Sequence, residues 1–153
     1  MLALQLDNTA VKTFMGQILR ENIFDCFEVR SIDISVATRI NIDGLLEIEQ
    51  EEGKKPGFIT WENLRPLVLG IIKTSPKPKH VKIVFSYMAS GACEIHANAA
   101  ALFLNMAYEN DTVTFTTGAS QREFALDKSL DTNWDEWVRV FFAKTGLQIS
   151  DRE

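Results

Sequence analysis

The stretch Ala101–Phe142, ALFLNMAYENDTVTFTTGASQREFALDKSLDTNWDEWVRVFF, carries the clearest structural pattern in the chain. Leu102, Leu104, Met106 and Tyr108 recur at period two, and so do Val113 with Phe115 and Phe124 with Leu126. Period two is the spacing of side chains on one face of a strand, so the stretch predicts three antiparallel strands with turns at Asn110-Asp111 and at Gly118. Thr112, Thr114 and Thr116 stand on the wetter face. Asp131, Thr132 or Asn133 then caps a helix that carries Trp134, Trp137, Val138, Phe141 and Phe142 on a wide apolar face and stops at Gly146.

Upstream, Lys79 to Met88 reads as a central strand with Val81, Ile83 and Phe85 on one face and Val84 on the other. Ser90 to Ala100 predicts about two helical turns opened by Ser90. A further helix, opened by Thr60 or Asn63, buries Leu64, Leu67, Val68, Ile71 and Ile72; Pro66 lacks an amide hydrogen, which favours a regular start near Asn63 with Pro66 in the first turn. Ser75-Pro76-Lys77-Pro78 is an extended connector, and Glu47 to Gly57 is a solvated loop. Ile32, Ile34, Val36, Ile40 and Ile42 alternate with polar residues, while Phe27 and Val29 lie on the opposite parity. That switch predicts a bulge near Arg30 and Ser31, followed by a turn near Ala37 and Thr38. Asp43-Gly44 is a two-residue hairpin signal with Leu45, Leu46 and Ile48 returning. At the N-terminus, Leu2, Leu4 and Leu6 form a strand, and Asp7, Asn8 or Thr9 caps a helix with Val11, Phe14, Met15, Ile18 and Leu19 on one stripe.

Strand, helix and three strands therefore follow one another from Leu2 to Ile48 and again from Val81 to Leu126, a βαβββ order read twice. The fold class is α+β: a single domain over residues 1–148 with a mainly antiparallel curved sheet, three or four helices packed on it, and a short tail at 149–153. The order of elements resembles the single-domain repeat of DNA sliding clamps, which implies an architecture and no function. Two helices, around Leu67 and Trp137, have no place in that repeat. At the level of residues, LFLNMAYEND (102–111), TFTTG (114–118), FALDKSLD (124–131) and WDEW (134–137) resemble a small bacterial family filed as a domain of unknown function. The likeness extends to IDG at 42–44 and IIK at 71–73, and it implies no activity.

The 153 residues are 46% hydrophobic, enough for one core without a metal or disulfide staple. A formal charge of −5 argues against a general nucleic-acid binder, whose affinity rests on clustered Lys and Arg. MLALQLDNTAVK lacks the basic and apolar regions of a signal peptide, and no run of about 18 apolar residues is present for a membrane span. The expectation is a cytoplasmic protein with no membrane association. Cys26 and Cys93, far apart and outside any CxxC, read as two buried thiols.

Cys93, Glu94 and His96, with His80 and Cys26, are the one set that could hold Zn²⁺ or pose as a thiol–imidazole pair, but the spacing supplies neither a second pair of ligands nor an orienting third residue. No metal and no cofactor are expected. Asp33, Asp43, Asp127, Asp131, Asp135 and Glu136 are the carboxylates that could meet for acid/base or Mg²⁺ chemistry, but Asp43 reads as a turn residue, Asp131 as a helix cap, and Asp135 with Glu136 as first-turn charges. Lys73, Lys77, Lys79, His80 and Lys82 form the one basic cluster. Cations after a helix end are ordinary, and the functional reading is a site for a phosphate, an RNA backbone or an acidic partner. The aromatic helix carries more large apolar groups than one face commonly buries, so Trp137 and Phe142 are candidate interface residues. The leading function is a non-catalytic protein-interaction module, binding an unknown protein or a second copy. The alternative is polyanion or nucleic-acid binding through the lysines, and an enzyme of unknown type comes third.

Overall fold

The computed structural model describes residues 1–47, 57–73 and 77–152. Its elements run β1 (Ala3–Leu6), a 3₁₀ turn, α1 (Val11–Arg20), β2 (Phe27–Ser35), β3 (Arg39–Asp43), α2 (Trp61–Lys73), β4 (His80–Tyr87), α3 (Ala92–Ile95), β5 (Ala99–Glu109), β6 (Thr112–Gln121), α4 (Ser129–Thr145) and β7 (Ile149–Asp151). The strands form one seven-stranded sheet in the order β3-β2-β4-β5-β6-β1-β7, every pair antiparallel. The protein is α+β, as the sequence predicts.

The helices share a single core with one face of the sheet. Phe14 and Ile18 of α1, Trp61 and Val68 of α2, and Trp134, Val138 and Phe142 of α4 are buried in one cluster with Leu4, Ile34, Phe85, Leu104 and Phe115. Alternation in the strands puts Lys82, Asn105, Thr114 and Thr116 on the opposite face. Two tryptophans are buried with their polar ends satisfied: Trp61 Nε1 donates to the Ile18 carbonyl at 3.1 Å and Trp134 Nε1 to the Phe103 carbonyl at 2.8 Å.

Several local expectations hold. The β2–β4 register slips between Val29 and Ser31, which is the bulge that the change of parity requires. Asn110 and Asp111 both take positive φ, 52° and 58°, and close the β5–β6 hairpin as a type I′ turn would. Gly146 ends α4 with φ 73°.

Others are corrected. Asp43-Gly44 is not a two-residue hairpin. Gly44 N–H donates to the Arg30 carbonyl at 3.0 Å and its own carbonyl receives Ile59 N–H at 2.8 Å, while Leu45 bridges Phe58. The chain runs on past Gly44 and pairs with the segment at 57–60; Ile48 and the rest of the 48–56 loop lie outside the described residues, as do 74–76 of the connector. Pro66 lies inside α2, not in its first turn, because buried Trp61 draws the helix start to Thr60, whose hydroxyl and carbonyl receive Asn63 N–H. Pro66 is exposed, so water can reach the Glu62 carbonyl that its missing N–H leaves free. Leu67, expected in the buried stripe, is 57% exposed. The Ser90–Ala100 segment gives one helical turn, because Ala99 and Ala101 are taken into β5 against Gln121 and Ser120. Gly118 lies inside β6 opposite Phe103 and makes no turn.

The third strand of the meander is absent: residues 122–128 are a loop, so the second half lacks the βαβββ order. Nor do the halves pair alike, since β4 lies beside β5 while β1 lies between β6 and β7, away from β2. Ile149–Asp151, expected as part of a tail, is a strand, with Leu6 opposite Ile149.

Candidate functional site

The loop between β6 and α4 has an unusual construction. Asn98 presents its side-chain amide to the backbone of Glu123, donating to the carbonyl at 2.8 Å and accepting the N–H at 3.0 Å. Gln121 does the same for Ala125, donating and accepting at 3.1 Å. Asp127 then accepts Ser129 N–H at 2.6 Å, and that bond holds its carboxyl below the usual range while fixing the start of α4. Each amide side chain offers one donor and one acceptor, which is what a neighbouring strand would offer. Residues 123, 125 and 127 are thereby tied down, and the even positions point away: Phe124 is 86% exposed and Leu126 84%. The period-two signal at Phe124 and Leu126 does mark an extended segment, but side chains replace the ladder and nothing covers the apolar face.

The base of the loop is braced again. Arg122 Nε donates to the Ala99 carbonyl at 3.0 Å and its Nη2 lies 2.8 Å from Cys93 Sγ. His96 Nδ1 accepts the backbone N–H of Asn98 at 3.0 Å, and its Nε2 lies 2.8 Å from Ser129 Oγ. A backbone N–H can only donate, so Nδ1 carries the lone pair and Nε2 the proton. Nε2–H therefore donates to Ser129, the reverse of what a base activating a hydroxyl would do. His96 and Cys93 are each engaged elsewhere, and no group of three or more His, Cys, Asp or Glu side chains converges among the described residues.

The carboxylates singled out in the sequence are likewise dispersed. Asp33 receives Arg39 at 2.6 and 3.1 Å, which keeps its carboxyl below the ordinary value. Asp43 accepts Leu45 N–H at 2.9 Å. Asp135 accepts the Thr117 hydroxyl at 2.5 Å, and that hydroxyl in turn accepts Leu2 N–H at 2.8 Å, tying α4 to the sheet beside β1.

The two thiols differ, since Cys93 is exposed where the sequence suggested burial. Burial pushes the Cys26 thiol up to about 11. At pH 8 only about one Cys26 in a thousand is a thiolate. Ellman's reagent should therefore titrate one thiol quickly and the second at least about tenfold more slowly, and Cys93→Ser should remove the fast phase. Loss of the slow phase in its place would contradict the assignment.

The basic cluster is mixed. Lys73, Lys79 and Lys82 are exposed, but Lys77 Nζ sits on the Asp111 carboxylate and His80 Nε2 lies 3.6 Å from Asp33. On the aromatic helix, Phe142 is 1% exposed, wedged against Phe115 at 4.8 Å, and is no surface residue. Trp137 is half-buried. It stacks between Trp134 at 5.1 Å and Phe141 at 5.4 Å and lines a shallow groove with Ile95 and Val140. Arg30, displayed by the β2 bulge, lies 3.9 Å from the Phe58 ring and donates from Nε to Ser86 Oγ at 3.1 Å. Sequence reasoning passed over it, because only the bulge gives it that aim.

One antiparallel sheet with its helices on a single face, and a braced loop at the end of β6 that leaves Phe124 and Leu126 exposed, defines the class as α+β. No helix among the described residues is long and apolar enough to cross a membrane. The chain belongs to a family of unknown function (DUF5721), whose model matches residues 17–150. Neither the curated proteins nor the solved structures contain a match to it.

Proposed function

We propose that the protein is a non-catalytic protein-interaction module that grips its partner with Phe124 and Leu126. The observation that carries this reading is an ordered, side-chain-braced loop that leaves two large apolar groups more than four-fifths exposed. Burying each in a partner is worth about 1.5–3 kcal/mol. Bracing before contact lowers the ordering cost of association. Exposed Glu123 and Asp127 flank the tip, with exposed Arg122 and Lys128 just outside them, so the fitting surface is an apolar cleft whose rim carries charges of both signs, on another protein or a second copy of this chain. The polyanion reading has less support, because two of its five groups already face carboxylates.

The double variant Phe124→Ser with Leu126→Ser removes no buried contact, so its melting temperature should stay within about 2 °C of the parent. Sedimentation and affinity capture run in parallel on both proteins should show the partner, or the second copy, held by the parent and released at least about tenfold more readily by the variant. Equal retention by both proteins would refute the anchor.

A further inference from the structure

At the opposite end of the β5–β6 hairpin lies a cavity of about 530 Å³ lined by Val11, Met15, Leu19, Ile72, Pro78 and Tyr108, with Asn8, Lys12, Lys77 and Asp111 around it. Its layout follows from the pairing. Gln5 lies opposite Thr114, so the end of β1, and with it Asn8 and the start of α1, is set beside the Asn110-Asp111 turn. Trp61 at the start of α2 bonds to Ile18 near the end of α1, so the two helices run antiparallel and Ile72 returns to the start of α1. The polar groups therefore gather at the N-terminal end of α1, and Met15 and Leu19 continue the apolar wall away from them.

Among the residues that line the cavity the charges do not cancel, since Lys12 and Lys77 stand against Asp111 alone. Lys77 is matched by Asp111, whose carboxyl it holds below the ordinary value, and Asp111 also accepts the Tyr108 hydroxyl at 3.2 Å. Asp7 keeps its charge but is not among the lining residues and is turned to Thr9, accepting its N–H and hydroxyl at 2.9 Å. Lys12 is exposed and has no acidic partner among the described residues. One uncompensated ammonium thus stands at the mouth of a mostly apolar trough, beside the positive end of the α1 dipole. The stripe Val11, Met15, Leu19 spans eight residues, and at a helical rise it runs about 12 Å, the length of an extended alkyl chain of about ten carbons.

We propose that this cavity binds an amphipathic monoanion, a linear apolar chain headed by a carboxylate, with the head on Lys12 and the chain along Met15 and Leu19. The site is independent of the anchor loop, so either can fail without the other. Calorimetric titration of the full chain with decanoate, kept below its micelle-forming concentration, should give one molecule per chain. Butanoate and decan-1-ol should each bind more than about tenfold more weakly, the first for lost methylenes and the second for its missing charge. Lys12→Met should bring decanoate to the level of decan-1-ol. Met15→Trp, or Ile72→Trp should the first not fold, should abolish binding of both, while the Phe124→Ser/Leu126→Ser protein binds as the parent does. The proposal is overturned if no decanoate binds, if decanoate and decan-1-ol bind alike to the parent, if several molecules bind per chain, or if a folded tryptophan variant binds unchanged.

Discussion

Gly44→Ala should lower the stability of the protein by about 3–5 kcal/mol, one of the largest losses available to a single methyl group. Gly44 is buried where the chain leaving β3 crosses the bulge of β2, and a Cβ there would lie 1.8 Å from the Val29 carbonyl oxygen and 2.7 Å from its carbon. Neither atom is a side-chain tip that can swing away. Relief requires moving Gly44 off the bulge, which breaks its hydrogen bonds to Arg30 and Ile59 at about 0.5–1.5 kcal/mol each and opens the pairing of Leu45 with Phe58. Gly70→Ala is the internal control, since a Cβ at Gly70 meets nothing within 4 Å. In an exposed helix interior that change should stabilise by about 0.5–1 kcal/mol. Thermal melts of the two variants should therefore move in opposite directions, and a Gly44→Ala protein melting with the parent would contradict the close approach.

Phe24→Ala should cost about 3–5 kcal/mol in urea unfolding. Phe24 belongs to no helix or strand, yet it is fully buried and its ring is the hub of the core. It meets Phe85 at 5.2 Å, Phe141 at 5.4 Å, Phe27 at 5.6 Å and Phe14 at 5.9 Å. Truncation removes the ring and leaves a void that α1, α4 and the sheet cannot all close upon. Phe24→Leu keeps most of the volume and should recover more than half of the loss. The stacked Phe141 is the link to Trp137, so tryptophan emission should also shift in the alanine variant. A loss below about 1 kcal/mol would mean that the ring is not the hub its contacts describe.

These two residues show where sequence reading succeeds and stops. The β5–β6 hairpin, the bulge at Arg30 and the Gly146 stop are local: alternation, a parity switch and a left-handed residue are each written within a few positions. Phe24 has no such signature, because Glu21 to Cys26 carries no periodicity and its importance comes from four elements meeting around it. In sequence, Gly44 reads through its neighbour Asp43 as a turn, whereas its smallness answers to a carbonyl on another strand. Phe124 and Leu126 misled for a related reason. Their alternation correctly signals extended backbone, but whether a strand or two amide side chains lies alongside depends on Asn98 and Gln121. The cavity beside Lys12 needs α1, α2 and the hairpin turn together, so no single stretch announces it, and the lysine cluster overlaps it only through Lys77.

The placement of β1 has a consequence in time. Leu2 N–H finds its acceptor on Thr117, 115 positions later, and the first strand has no sheet neighbour until β6 exists. On a ribosome adding about 5–20 residues per second, Leu2, Leu4 and Leu6 would wait unpaired for roughly 5–20 s while β2 to β5 emerge. The nascent chain thus carries this apolar strand unpaired until β6 emerges, and β7, made later still, then covers its other side.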